Sequence, residues 1–125
     1  MLRLKGIQIA FQEHVIEDGA LTAPSGKLTA LTGPSGSGKT TLLYCAGLIS
    51  SNLDYEYELN GKHVDLWSEQ EKGEIRKTKI GYVFQENNLN TRLTVQENIR
   101  LSAALAGADT GDARMEELLR QVGLE

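Results

Sequence analysis

The first part of the chain alternates apolar and polar residues with a period of two, which is typical of half-buried β-strands. This pattern predicts an opening strand that ends near Phe11 and a second strand over Val15–Thr22. Asp18-Gly19 marks a bulge or turn within the second of them. The β-favouring run KLTALT at Lys27–Thr32 predicts a third strand, which enters a glycine-rich segment.

The middle of the chain combines short apolar runs with turn signals. Thr40–Leu48 predicts a helix directly after the glycine-rich segment. Tyr55–Leu59 alternates and meets Asn60-Gly61, a favourable hairpin turn, so a strand followed by a hairpin is expected. The run IGYVF at Ile80–Phe84 predicts a short buried strand.

Three further helices are predicted from capping signals. A Ser or Thr followed three residues later by Glu forms a capping box, which opens a helix. One such pair precedes a helix through about Lys77, and a second opens a helix that ends near Gly107. The last helix has an i, i+3, i+4, i+7 apolar stripe. The residues that carry these signals are Ser68 with Glu71, Thr94 with Glu97, Asp112 as a cap, and Gly123 at the C′ position.

Composition narrows the class of protein. The chain has 125 residues, one domain by length, and a net charge of −4 without a basic stripe, which disfavours nucleic acid as the main partner. Cys45 is the one cysteine, so the sequence offers no internal disulfide and fits a reducing compartment. No apolar run approaches the roughly 20 residues of a membrane-spanning helix. We therefore expect a cytoplasmic protein, or one docked peripherally on the cytoplasmic face of a membrane.

The glycine-rich segment Gly33-Pro34-Ser35-Gly36-Ser37-Gly38-Lys39-Thr40 fits the phosphate-binding pattern G-x-x-x-x-G-K-[ST]. Glycines let backbone N–H groups turn inward around a phosphate, and the following helix presents its unpaired N–H groups and positive dipole end. In this pattern the Lys39 ammonium faces the β- and γ-phosphates, and the Thr40 hydroxyl is placed to ligate Mg²⁺. The predicted nucleotide-binding residues are Gly33, Ser35, Gly36, Ser37, Gly38, Lys39, Thr40 and Thr41.

Three stretches carry a wider resemblance, which covers essentially the whole chain. The segment from Gly33 to Leu43 closely resembles the Walker A segment of ABC-transporter ATP-binding domains. Ile80–Glu86 is similar to the strand and Q-loop of that family, and Asn88–Ile99 to its "NL…LTV.EN" stretch. The chain most resembles the subgroup typified by lipoprotein-release and macrolide- or peptide-export ATPases.

The resemblance implies roles for two residues outside Walker A. Gln85 would approach Mg²⁺ and the attacking water, which makes it a candidate catalytic and metal-binding residue beside Lys39 and Thr40. Phe11 stands where the family usually carries an aromatic that stacks on adenine. The alternatives are an exposed loop residue for Gln85 and a core residue at a strand end for Phe11.

The family's signature motif, Walker B strand with its catalytic Glu, D-loop and switch His all come later than Glu125. The chain is therefore expected to be a truncated product, a fragment or a degenerate gene. The expected fold is α/β, a truncated P-loop NTPase fold of ABC type with an N-terminal β-subdomain. The expected domain organisation is a β-rich P-loop core to the Q-loop at residues 1–87 and the start of the helical subdomain at 88–125.

The resemblance implies an ATP-binding subunit that binds MgATP and powers a transmembrane permease, paired with a second nucleotide-binding domain. The resemblance implies an ABC-type ATPase by family, and the 125-residue chain alone is expected to be inactive. Two alternatives stay open: a nucleotide-binding remnant or regulator without turnover, and a soluble ABC protein of repair or translation. The short span between Walker A and the Q-loop favours a transporter type over repair proteins.

Overall fold

The computed structural model describes residues 1–11, 14–50, 54–108 and 111–124. Within these ranges the chain forms two compact units, Met1–Arg76 and Lys77–Glu125. The first unit contains the sheet and the second contains helices. The predicted subdomain boundary between residues 87 and 88 stays a prediction.

The first unit is built on an antiparallel hairpin, β1 (Leu2–Phe11) and β2 (His14–Ala23), as the alternating pattern predicted. The pairing shifts register between Leu4 and Ile7 and again beside Asp18, which has a φ of 53°. A register shift changes which side chains face the core. Leu4 and Ile7 are consequently both fully buried, although a strict period of two would place them on opposite faces.

Two shorter strands complete a sheet of order β2-β1-β3-β4, where β3 is Glu56–Leu59 and β4 is Lys62–His63. The predicted Asn60-Gly61 turn joins them, and both residues have positive φ, 51° and 80°. This conformation is the one that two-residue hairpins require, and Asn-Gly accommodates it at low cost. The sheet is antiparallel throughout its described pairings.

The predicted helix after the glycine-rich segment is α1 (Lys39–Ala46), which ends two residues earlier than expected. Leu48 has a φ of 56° and therefore lies outside the helix. The prediction of a strand over Lys27–Thr32 is wrong, because no described strand pairs with this segment. A strand needs a hydrogen-bonded neighbour, and Leu28 in this segment is 99% exposed.

Helix α2 (Glu69–Lys79) begins at the predicted capping box. The Ser68 N–H donates to Glu71 Oε2 at 2.8 Å, and the Glu71 N–H donates to Ser68 Oγ at 3.3 Å. The hydrogen bonds from the Ser68 side chain and backbone lower the pKa of the Glu71 carboxyl. The reciprocal pair satisfies two N–H groups that a helix end otherwise leaves without partners.

In the second unit, α3 (Val95–Ala106) also begins at its predicted capping box, Thr94 with Glu97, and ends at Gly107. The prediction of a strand over Ile80–Phe84 is wrong, because no described strand pairs with this segment either. Val83 within it is 96% exposed. Tyr82 and Phe84 instead lie ring to ring, with centroids 4.6 Å apart.

Helix α4 (Asp112–Gln121) carries the predicted apolar stripe, of which Met115 is fully buried. The prediction that Asp112 caps this helix is wrong, since Gly111 occupies the N-cap position. The Asp112 carboxylate instead accepts a hydrogen bond from Arg100 of α3 at 2.6 Å. Gly123 has a φ of 74° after the helix end, as expected. Across the described ranges, no helix has the length and apolar character needed to cross a bilayer.

Candidate functional site: the phosphate loop

The loop that precedes α1 closes tightly on itself. Gly33 has a φ of 154°, and a Cβ at this position would lie 3.0 Å from Ser37 Oγ. The Ser37 N–H donates weakly to the Pro34 carbonyl oxygen, at 3.4 Å. Gly38 has a left-handed φ of 83° and directs the chain into the helix. Side chains at Gly33 and Gly38 would therefore clash or strain the turn, which explains why the pattern requires glycine at both.

The Lys39 ammonium is held at this loop by the loop's own oxygen atoms. Its Nζ donates to the Pro34 carbonyl at 2.6 Å and to the Gly33 carbonyl at 3.0 Å. A longer contact, 3.4 Å, joins Nζ to Ser37 Oγ. These contacts place a positive charge beside the opening of the loop, where an anionic ligand would be attracted to it.

A cavity of about 310 Å³ lies at the amino end of α1. The N-cap residue Gly38 offers no side-chain hydrogen bond to the first turn, and no acidic residue occupies that turn. The backbone N–H groups there are consequently available to a ligand, and the helix dipole adds partial positive charge at the same point. The cavity is lined by Gly36, Ser37, Gly38, Lys39, Thr40 and Thr41.

These residues fit the polyphosphate of a nucleotide and its magnesium ion. The cavity combines free backbone N–H donors with an ammonium, the donor set that phosphate oxygens accept. Thr40 is exposed on the first turn of α1 and offers a hydroxyl oxygen, a ligand type that Mg²⁺ prefers. In the described ranges, no group of three or more His, Cys, Asp or Glu could hold a metal ion alone. Phosphate oxygens of a bound nucleotide would supply further ligands to a magnesium ion held by Thr40.

The carboxyl end of α1 is tied to the rest of the first unit by three side-chain donors. Tyr57 Oη donates to the Ala46 carbonyl at 2.6 Å, and Tyr55 Oη donates to the Cys45 carbonyl at 3.3 Å. Arg76 Nη1 of α2 donates to the Leu48 carbonyl at 2.8 Å. Burial raises the pKa of Tyr57 to about 12. The pKa of Tyr55 also rises, first from burial and then from the neighbouring Cys45 side chain, and both phenols are neutral donors at neutral pH.

The sequence patterns did not reveal these three contacts. The alternation at Tyr55–Leu59 predicted only a strand, although a pair of tyrosines at i and i+2 indicates that both side chains point to one face. Nothing in the local sequence indicates that this face meets the end of α1.

The structure does not test the roles predicted for Gln85 and Phe11. Gln85 belongs to the second unit, where it is exposed, and Walker A belongs to the first. Phe11 ends β1 opposite His14 in the backbone pairing, and its side chain lies outside the described residues. The predicted roles of both residues stay predictions.

A glycine-rich loop that carries a lysine ammonium and opens a helix beside a sheet defines a P-loop nucleotide-binding protein. The pattern of the ABC transporter family matches residues 16–125, and the chain belongs to this family.

The relatives confirm the resemblance to the macrolide-export and lipoprotein-release subgroup. The chain is 34% identical over its whole length to the macrolide export ATP-binding/permease protein MacB of Photorhabdus laumondii, and it covers 20% of that protein. It is 35% identical to the lipoprotein-releasing system ATP-binding protein LolD of Aquifex aeolicus, with 99% of this chain and 57% of LolD covered.

Solved structures confirm the ABC-type fold class. The dimeric structure of MJ0796, a bacterial ABC transporter cassette, superposes with a TM-score of 0.77 at 31% sequence identity. The match covers 96% of this chain and 55% of that cassette. A second structure of the same cassette, in a post-hydrolysis state, is bound to ADP and Pi and gives the same TM-score. The chain thus spans about half the length of the single-cassette proteins that it matches.

Proposed function

We propose that this chain binds MgATP at the loop from Gly33 to Thr41, as part of an ATPase subunit that powers an ABC transporter. One observation carries the proposal: the Lys39 ammonium lies against the Gly33 and Pro34 carbonyls beside a cavity at the amino end of α1. A related cassette bound to ADP and Pi supports a nucleotide as the ligand.

Each residue of the loop has a defined task in this proposal. Backbone N–H groups between Gly36 and Thr41 donate hydrogen bonds to phosphate oxygens. Lys39 binds the β- and γ-phosphates, and Thr40, with Gln85, holds Mg²⁺. When bound, the metal neutralises charge on the phosphate oxygens. Phe11 contributes a face for the adenine ring.

The proposed partners are a membrane permease and a second nucleotide-binding domain, at the cytoplasmic face of a membrane. The name of the macrolide export ATP-binding/permease protein MacB joins an ATP-binding part to a permease in one protein, and the MJ0796 cassette is dimeric. The net charge of −4 gives no support to a nucleic-acid partner.

The test is an equilibrium titration of the 125-residue chain with MgATP, with adenosine and with inorganic triphosphate. The proposal predicts that the chain binds MgATP and triphosphate with clearly higher affinity than adenosine, because the phosphates make the main contacts. The affinity for triphosphate should fall as salt rises, since the contacts are electrostatic. Equal affinity for MgATP and adenosine would contradict the proposal.

Thr40→Val should reduce the gain in ATP affinity that Mg²⁺ provides by roughly tenfold or more, since even indirect partners of a metal typically contribute 10–100-fold. Valine keeps the β-branched shape and removes only the hydroxyl oxygen. The measurement compares ATP affinity with Mg²⁺ and with EDTA. Thr32→Val, at another exposed threonine before the loop, is the matched control and should retain the full magnesium effect. An unchanged magnesium effect in Thr40→Val would remove Thr40 from the metal site.

Phe11→Ala should lose roughly 1–3 kcal/mol of ATP affinity if the ring stacks on adenine, by analogy with bases stacked on aromatic side chains. Phe11→Tyr keeps the stacking face and should bind nearly as well as the wild type. Inorganic triphosphate, which has no base, should bind Phe11→Ala with unchanged affinity. A lower melting temperature with intact ATP affinity would instead identify Phe11 as a core residue.

A further inference from the structure

The carboxyl end of α1 is held by side chains from other elements. The last four carbonyl groups of a helix have no partner within it. Here the Cys45 and Ala46 carbonyls, and that of Leu48 just beyond, each accept a side-chain hydrogen bond from another element. Two of the donors come from the tyrosines before and within β3, and the third comes from α2.

The distance from this end to the phosphate loop is short. Helix α1 has eight residues, and at 1.5 Å per residue it is about 12 Å long. A rotation of about 5° at its carboxyl end would therefore move its amino end by roughly 1 Å, a displacement large enough to misplace hydrogen-bond donors on a ligand. An isolated helix of this length is marginal in water, so its direction is set by the contacts that hold it.

The charge of Arg76 also stabilises the carboxyl end of α1. The last turn of α1 contains no basic residue. Arg76 of α2 supplies a guanidinium at the Leu48 carbonyl instead, with Glu69 of its own helix 4.0 Å away. A cation at the carboxyl end of a helix stabilises the dipole whose positive end faces the phosphates.

We infer that Tyr57 and Arg76, supported by Tyr55, are positioning residues for phosphate binding. They fix the direction of α1 from its carboxyl end and thereby aim the N–H groups of its first turn at the ligand. The inference rests on the proposed function, since it assumes that phosphates bind at the amino end. None of the three side chains touches the ligand in this arrangement.

The first test is Tyr57→Phe, which keeps the buried ring and removes only the hydroxyl. We expect its affinity for MgATP and for inorganic triphosphate to fall equally, by roughly three- to tenfold, the range that corresponds to loss of one neutral hydrogen bond. The N–H chemical shifts of Gly38 and Lys39 in the bound state should differ from those of the wild type. A role in stability alone would move neither the bound-state shifts nor the triphosphate affinity.

Met115→Ala is the matched control for stability. Met115 is fully buried on α4 and its side chain has no hydrogen-bond donor, so its truncation lowers stability without removing a hydrogen bond from the end of α1. This variant should have a lower melting temperature and wild-type triphosphate affinity. An equal loss of affinity in Met115→Ala and Tyr57→Phe would overturn the inference.

A second pair of variants keeps the test independent of the buried tyrosine. Arg76→Met removes the donor and the charge from a half-exposed side chain, whereas Arg76→Lys keeps a charged donor. We expect weaker triphosphate binding in Arg76→Met, with most of the affinity restored in Arg76→Lys. Wild-type affinity in both Tyr57→Phe and Arg76→Met would overturn this inference alone. Absence of triphosphate binding by the wild type would overturn the proposed function and this inference with it.

Discussion

Lys39→Ala is expected to weaken MgATP binding roughly 100-fold or more, because a hydrogen bond to a charged group contributes about 1.5–3 kcal/mol and this ammonium is proposed to bind two phosphates. The side chain already lies at the opening of the loop, with its Nζ 2.6 Å from the Pro34 carbonyl oxygen. Its removal leaves the cavity at the amino end of α1 without a full positive charge. The measurement is an equilibrium titration with MgATP at fixed ionic strength.

Two variants control this experiment. Lys27→Ala removes the same charge from an exposed site of the same unit and should bind MgATP like the wild type. Lys39→Arg keeps the charge, yet its planar fork differs from a compact ammonium, so it should restore binding only in part. If Lys39→Ala and the wild type bind with equal affinity, the loop is not the nucleotide site.

The melting temperature of Lys39→Ala should change little. Gly33 and Pro34, whose carbonyls receive the ammonium, are exposed, so water can replace the lost donor. Surface substitutions of this kind usually change stability by about 0.5 kcal/mol or less. A lost affinity with an intact fold would therefore locate the effect at the ligand.

Local sequence signals predicted the local structure well. The capping boxes at Ser68 and Thr94 both form with the expected reciprocal hydrogen bonds. The turn at Asn60-Gly61 and the helix end before Gly123 have the expected positive φ values. These features depend on residues at most four positions apart, so a short segment of sequence is enough to predict them.

Strand predictions failed for two segments that have no described strand beside them. Lys27–Thr32 and Ile80–Phe84 have the composition of buried strands, but no described strand pairs with either segment. The pattern reports a tendency to pair, whereas a strand exists only beside another one. Leu2–Phe11 became a strand because β2 and β3 both pair with it.

In the candidate site too, the local features could be predicted from the sequence and the long-range contacts could not. The glycine pattern identified the phosphate loop, since backbone conformation and the following helix are local properties. The contacts of Tyr57 and Arg76 with the end of α1 join residues 11 and 28 positions apart, and no local signal indicates such contacts. The role of Gln85 rests on resemblance to the family, and a test of that role requires the turnover experiment below.

The second large effect that we expect is the near absence of ATP hydrolysis by this chain. Hydrolysis needs held phosphates, a polarised attacking water and charge stabilisation at the γ-phosphoryl group. The loop and Lys39 serve the first need, and Gln85 is proposed to position the water. The three carboxylates Asp112, Glu116 and Glu117 lie on α4 and do not follow a strand. None is therefore placed as a Walker B general base.

We accordingly expect the 125-residue chain to bind MgATP and to hydrolyse it at or near the background rate. Absence of a general base typically costs about 10²–10⁴-fold in rate, and absence of an opposing signature motif adds to that loss. The assay is phosphate release by the purified chain, with Lys39→Ala as the control for contaminating ATPases. A chimera that adds the part of the Aquifex aeolicus LolD cassette beyond the matched region should gain turnover that depends on Lys39 and falls in Gln85→Ala. Robust Lys39-dependent turnover by the 125-residue chain alone would show that a carboxylate within it acts as the base. The expectation that this chain lacks a general base would then be wrong.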